Sequence, residues 1–213
     1  MLLLLDLDNT LVDRDGAFRH WAERFVSEHG GGAPELEALI HADAGGYSPR
    51  LDVAEQAKAS LNVQEPLETI VEHMKVGVIE LIHCYDGVLS ELALAKSGGA
   101  RLVIVTNGSS AQQRSKIAQC ALDAAVDAII VSEEVGFKKP HLAIFERALE
   151  HGVGAGPVWM VGDNPAVDVA GARAAGIATG WVSHGKKWPE PWEPDSVGET
   201  TAEVLREVRA QRQ

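Results

Sequence analysis

The chain has 213 residues, 46% of them hydrophobic and 23% charged, which suits one domain with at most a modest second module and excludes a disordered segment. Thirty-one acidic residues against nineteen lysines and arginines give a formal charge of −12; nucleic-acid binding, which needs basic patches over the phosphates, is not expected. No apolar run approaches the roughly 20 residues that cross a bilayer, and Leu2–Leu5 is too short for a secretion signal, so a cytoplasmic protein without a membrane partner is expected.

Leu2–Leu5 reads as the first strand. Residues 15–82 then read as helices only. Phe18, Trp21, Phe25 and Val26 form one apolar stripe ending near Gly30, and further helical stretches cover Glu35–His41, Asp52–Leu61 and Pro66–Ile82. A crossover between parallel strands needs only about a dozen residues, so 15–82 is expected to be an inserted helical module, with 1–14 and 83–213 as the core. Four more apolar runs follow, Leu102–Val105, Ala128–Val131, Val158–Val161 and Ile177–Val182. They lack alternation, as strands buried on both faces of a parallel sheet do. Helical patterns separate them: one with capping-box spacing at Ser110 and Gln113, one opened by Pro140 with Leu142, Phe145 and Leu149 on one face, and one opened by Pro165 and closed by Gly176. The alternation predicts a doubly wound, Rossmann-like α/β core. The Pro-rich stretch from Trp188 to Pro194 is expected to wrap the core as an extended loop before a last helix from about Thr201.

Chemistry-bearing residues fall where these strands end, the position of the ligand crevice in an open α/β sheet. The first strand runs into Asp6-Leu7-Asp8-Asn9-Thr10, two carboxylates that lean the same way along an extended segment and whose repulsion a divalent cation relieves. The second ends in Thr106-Asn107-Gly108, a hydroxyl and backbone N–H groups beside a helix start, where a phosphate-sized anion binds. Lys138-Lys139-Pro140 sets an ammonium at a helix head, against the helix dipole. The fourth strand ends in Gly162-Asp163-Asn164-Pro165-Ala166-Val167-Asp168. Each alone has a plainer explanation: an acidic loop, an N-capping turn, solvated lysines, a carboxylate stabilising a helix start. Four such segments at four strand ends argue for a joint site, with carboxylates as hard oxygen ligands suited to Mg²⁺.

In that combination and order the chain resembles the haloacid dehalogenase-like (HAD) hydrolase superfamily, in its branch with a helical cap inserted after the first strand. The motifs are Asp6-Leu7-Asp8-Asn9-Thr10, Val105-Thr106-Asn107-Gly108, the run from Gly136 to Phe145 containing Lys139-Pro140, and Val161 to Asp168. The resemblance implies that Asp6 attacks phosphorus to give an aspartyl-phosphate, and that Asp8 protonates the leaving oxygen and then activates water. It implies that Mg²⁺ is held by Asp6, Asp163 and the carbonyl oxygen of Asp8. Thr106, Asn107 and Lys139 would bind the phosphoryl group, and Asp168 would orient Lys139 or the metal's waters. The expected reaction is hydrolysis of a small phosphorylated metabolite. A phosphotransferase or sugar-phosphate mutase using the same intermediate is the alternative. Dehalogenation is disfavoured by the acid at position 8.

The inserted module carries twelve acids and five bases, a pattern expected of solvated helix faces. Its exception is the loop Ala44-Gly45-Gly46-Tyr47-Ser48-Pro49-Arg50, where Tyr47 and Arg50 are expected to read the non-phosphate part of the substrate. The eight histidines show no ligand spacing. Cys84 and Cys120 form no metal or redox motif.

Overall fold

The computed structural model describes residues 1–152, 154 and 156–211. The chain divides into two compact units, Met1–Val12 with Cys84–Gln213, and Asp13–His83.

Among the described residues of the first unit six strands form one parallel sheet: β1 (Leu2–Leu5), β2 (Arg101–Thr106), β3 (Ala128–Val131), β4 (Val158–Gly162), β5 (Ala178–Val182) and β6 (Ser196–Gly198), in the order β3-β2-β1-β4-β5-β6. β1 lies at the centre, with Leu2–Leu5 in register with residues 101–104 on one side and 158–161 on the other. All four leucines are fully buried, because a central parallel strand is covered on both faces. Burial of each contributes roughly 2 kcal/mol, and the continuous apolar run follows from that position.

The helices of the second unit are α1 (Arg14–Glu28), α2 (Ala33–Asp43), α3 (Arg50–Leu61) and α4 (Leu67–Leu81). Those of the first are α5 (Val88–Ser97), α6 (Ser110–Gln119), α7 (Leu122–Ala125), α8 (Ser132–Val135), α9 (Leu142–Leu149), α10 (Ala170–Ala174) and α11 (Thr201–Ala210). One sheet face packs Leu2, Leu4, Val103, Val105 and Met160 against Ile144, Phe145 and Ala148 of α9 and Ala172 of α10.

Several local expectations are corrected. Leu142 is largely exposed, and the core face of α9 is Ile144, Phe145 and Ala148. The cap of α6 is Ser109, whose hydroxyl accepts from the Gln112 N–H, so Ser110 and Gln113 form no capping box. Pro165 opens a wide turn of π-helical form, Pro165–Val169, before α10 begins. The tail contributes the unforeseen β6. One carboxylate oxygen of Asp195 accepts from both the N–H and the hydroxyl of Thr179, each at 2.8 Å, and this fixes the register of a three-residue strand too short to show a pattern.

In the helical unit, Phe18, Trp21 and Phe25 of α1 form a run of ring contacts at 5.4 and 5.1 Å. Gly77 of α4 lets the helices approach closely: a Cβ there would lie 2.4 Å from the Trp21 ring. Asp43 is not on a solvated face. It is buried, bonded by both terminal nitrogens of Arg14, by Arg50 at 2.7 Å and by the Gly46 N–H at 2.9 Å. Burying a carboxylate without such partners costs several kcal/mol.

Candidate active site

The site forms at the carboxyl ends of β1, β2 and β4. The Asp6 N–H continues the sheet by donating to the Val161 carbonyl at 2.9 Å. The chain then turns at once: the Leu7 carbonyl accepts from residues 10, 11 and 12, and Asn9 takes a left-handed conformation at φ 58°, which asparagine tolerates better than most side chains. This turn aims the Thr10 hydroxyl at β4, where it accepts from the Asp163 N–H at 3.0 Å. The motif at the end of β1 is thereby joined to the one at the end of β4.

Lys139 occupies the middle of the site. Its ammonium donates to one oxygen of Asp6 and one of Asp168, both at 2.6 Å, and its side chain is 1% exposed. The neighbouring Lys138 is exposed. Burial by itself favours the neutral amine, but the charges of Asp168 and Asp6 outweigh it and hold Lys139 well above the ordinary lysine range. Asp168 accepts from the Asn164 N–H with its second oxygen, at 3.1 Å. The backbone of Lys139 is anchored by Asn107, whose side-chain oxygen accepts from the Lys139 N–H at 2.8 Å and whose amide donates to the Lys139 carbonyl at 3.0 Å. Both ends of the Asn107 side chain are therefore engaged in positioning the lysine.

Asp6, Asp163 and Asp168 each place a carboxylate oxygen within 4.8 Å of the others. Burial pushes Asp6 up to about 7, helped by the charges of Asp168 and Asp8 and opposed by Lys139. Asp163 rises to about 8, again first through burial and then through Asp168 and Asp6, with Lys186 and Lys139 opposing. With all three ionised, the carboxylates would exceed the one ammonium by two negative charges, and the raised values of Asp6 and Asp163 reflect that cost. A donor set of hard oxygens with that surplus fits a divalent cation. Both oxygens of Asp168 already accept hydrogen bonds, so Asp6 and Asp163 are the carboxylates available to it.

The Asp8 side chain lies apart from this cluster. Its two oxygens each sit 2.7 Å from the Lys116 ammonium, and one accepts from the Gln113 amide at 3.0 Å. Gln113 also donates to the Thr106 hydroxyl at 2.6 Å. Sequence reasoning missed Gln113 and Lys116. Polar residues three apart on a helix read as a solvated face, and only their burial, about 2% exposed each, sets them apart. It missed Ser132 as well, which accepts from the Gly108 N–H at 3.0 Å. In the helical unit, Tyr47 is exposed and Arg50 is bonded to Asp43.

Residues 3–182 match the family model described as Haloacid dehalogenase-like hydrolase. Among curated proteins, the chain is 38% identical over 118 residues to the phosphoserine phosphatase of Thermus thermophilus, covering 55% of this chain and 46% of that enzyme. The match thus spans less than half of that relative. It is 28% identical over 177 residues to the glyceraldehyde 3-phosphate phosphatase of Methanocaldococcus jannaschii, covering 81% and 75% of the two chains. Among solved structures, the magnesium-bound YfnB protein of Bacillus subtilis, described as a HAD hydrolase, superposes with a TM-score of 0.75 at 21% identity and 97% coverage of both chains. That likeness is one of fold. No helix among the described residues is long and apolar enough to cross a membrane.

Proposed function

The chain belongs to the haloacid dehalogenase-like hydrolase family, and we propose that it hydrolyses the phosphate monoester of a small metabolite through an aspartyl-phosphate on Asp6. The observation that carries this reading is the buried Asp6–Lys139–Asp168 network at the centre of the sheet, with Asp163 beside it.

In this reading Asp6 is the nucleophile. Its oxygen forms a bond to phosphorus, the ester oxygen departs, and Asp8 supplies the proton that the departing oxygen takes. Asp8 then accepts a proton from the water that attacks the acyl-phosphate, which frees phosphate and restores Asp6. Splitting the displacement in two lets one carboxylate serve each half. Lys139, held by Asp168 and by the Asn107 side chain, and the Thr106 hydroxyl hold the phosphoryl oxygens. A contact from Asn107 itself falls to its backbone N–H. Asp6, Asp163 and the backbone carbonyl of Asp8 are the groups to hold Mg²⁺, which when bound neutralises charge on the phosphoryl group. Positioning and charge neutralisation are what phosphoryl transfer chiefly requires. In the helical unit we assign contact with the non-phosphate part of the substrate to the exposed Tyr47 and to Arg50, which also holds the loop through Asp43.

A panel of phosphorylated metabolites assayed with Mg²⁺ and with a chelator tests the proposal. Free phosphate should appear only with the cation, Asp6→Asn should abolish it while keeping the fold, and trapped phosphate should map to Asp6. Phosphorylated isomers in place of free phosphate would identify a mutase. Activity retained by Asp6→Asn would refute the nucleophile assignment.

A further inference from the structure

We propose that Gln113 and Lys116 are positioning residues for catalysis: one face of α6 brackets the Asp8 carboxylate and the Thr106 hydroxyl and fixes both for the reaction. The inference rests on the reading of Asp8 as proton donor and Thr106 as phosphoryl ligand.

Residues 113 and 116 lie three apart and so share a helix face. That face is turned into the protein, with both side chains almost fully buried. A lysine is rarely buried to this degree without an anionic partner, and here the ammonium touches both oxygens of Asp8 at 2.7 Å. A carboxylate held at both oxygens loses the rotation that would otherwise carry it away from the leaving group.

Gln113 adds a second constraint. Its amide nitrogen donates to Asp8 at 3.0 Å and to Thr106 Oγ1 at 2.6 Å, which spends both hydrogens of the –NH₂ group. An amide nitrogen accepts nothing, so Thr106 Oγ1 must accept from it. The threonine's own hydrogen is then left to donate, and its contact with the Asn107 carbonyl, at 3.5 Å, is long. Gln113 therefore sets the polarity of the Thr106 hydroxyl as a donor, the sense that a phosphoryl oxygen needs. Asp8, Thr106, Gln113 and Lys116 all belong to the first unit, so the placement of the proton donor is built into the α/β unit by itself.

The test uses the full chain with Mg²⁺ and two probes, p-nitrophenyl phosphate, whose leaving group departs without a proton, and glycerol 2-phosphate, whose alkoxide requires one. General acid catalysis is worth about 10²–10⁴-fold. Lys116→Met should lower kcat/KM, which reports the steps up to departure of the leaving group, about 30-fold or more on glycerol 2-phosphate and less than about 3-fold on p-nitrophenyl phosphate, and Asp8→Asn should show the same contrast with a larger loss on glycerol 2-phosphate. Added to Asp8→Asn, Lys116→Met should change kcat/KM by less than about 3-fold, because residues acting as one unit are not additive. Lys116→Arg should recover most of the loss. Gln113→Leu should raise both KM and the inhibition constant of inorganic phosphate about 10-fold, the scale of one lost hydrogen bond to a charged group. If Lys116→Met fails to fold, Lys116→Gln, which removes the charge and keeps a polar group, carries the same comparison.

Equal losses on the two probes, or full additivity with Asp8→Asn, would overturn the inference and leave a merely structural ion pair. If Asp8→Asn itself shows no dependence on the leaving group, the reading of Asp8 fails and this inference falls with it. If Asp8→Asn shows that dependence and Lys116→Met does not, only the inference fails.

Discussion

Removing the cation from this site should destabilise the fold in a pH-dependent manner. Asp6 titrates near 7 and Asp163 near 8, where an ordinary aspartate titrates at 3.8. Between about pH 4 and those values the folded chain holds protons that the unfolded chain has already released. Its metal-free stability therefore falls as pH rises through that window, and the penalty is complete above about pH 8. A rise from 3.8 to about 7 corresponds to about 4 kcal/mol. Burial leads both shifts, so Asp163 adds to that cost and the pair is destabilised by more than about 4 kcal/mol above pH 8. A divalent cation at about 100 times its dissociation constant should contribute about 2.7 kcal/mol at pH 8, raising Tm by about 5–10 °C for a chain of this size. At pH 5 the proton on Asp6 weakens binding about 100-fold and the proton on Asp163 about 1,000-fold, and the increment should shrink below about 2 °C. Thermal melts followed by circular dichroism, with MgCl₂ or with chelator at both pH values, measure this directly. Asp163→Asn should raise the metal-free Tm at pH 8, leave it unchanged at pH 5, and abolish the magnesium increment. Equal increments at the two pH values, or a metal-free Asp163→Asn that melts lower at pH 8, would refute the reasoning.

Gly162→Ala should damage the site from behind. A Cβ at 162 would lie 2.5 Å from the Asp168 side chain, so Asp168 must shift off Lys139, costing about 1–3 kcal/mol in a urea melt and about 10-fold or more in kcat. Asp43→Ala should destabilise the helical unit by about 3 kcal/mol, because it removes the two-point carboxylate partner of the buried Arg14 guanidinium while Asp15 at 3.2 Å remains; a change below about 1 kcal/mol would show that the pair is not buried in solution. Tyr47→Ala, at an exposed position, should alter stability by less than about 0.5 kcal/mol while reordering kcat/KM across a phosphate-ester panel. An unchanged order would remove Tyr47 from substrate recognition.

Residues whose environment follows from their place in the chain's periodicity were legible beforehand. Four consecutive leucines have one economical explanation, a strand covered on both faces, and the stripe Phe18, Trp21, Phe25 and Val26 buries as one face of α1. β6 was not legible, because Ser-Val-Gly carries no pattern and its pairing depends on Asp195 reaching Thr179. The capping spacing at Ser110 misled for a related reason: Ser109 offers the same hydroxyl one residue earlier, and Gln113 is drawn to Asp8 and Thr106. Asp43 likewise read as one more surface acid until Arg14 and Arg50 closed on it.

Amino-acid order alone determined the alternating strands and helices and the polar residues that end each strand, since both depend on local periodicity and on the direction in which a parallel sheet runs. Tertiary structure decided which of those polar groups meet. Residue 8 finds residue 116, and residue 139 finds residues 6 and 168, through contacts between segments far apart in the chain. Side-chain burial, which turns such contacts into fixed ion pairs and raised carboxylates, exists only once the sheet has assembled.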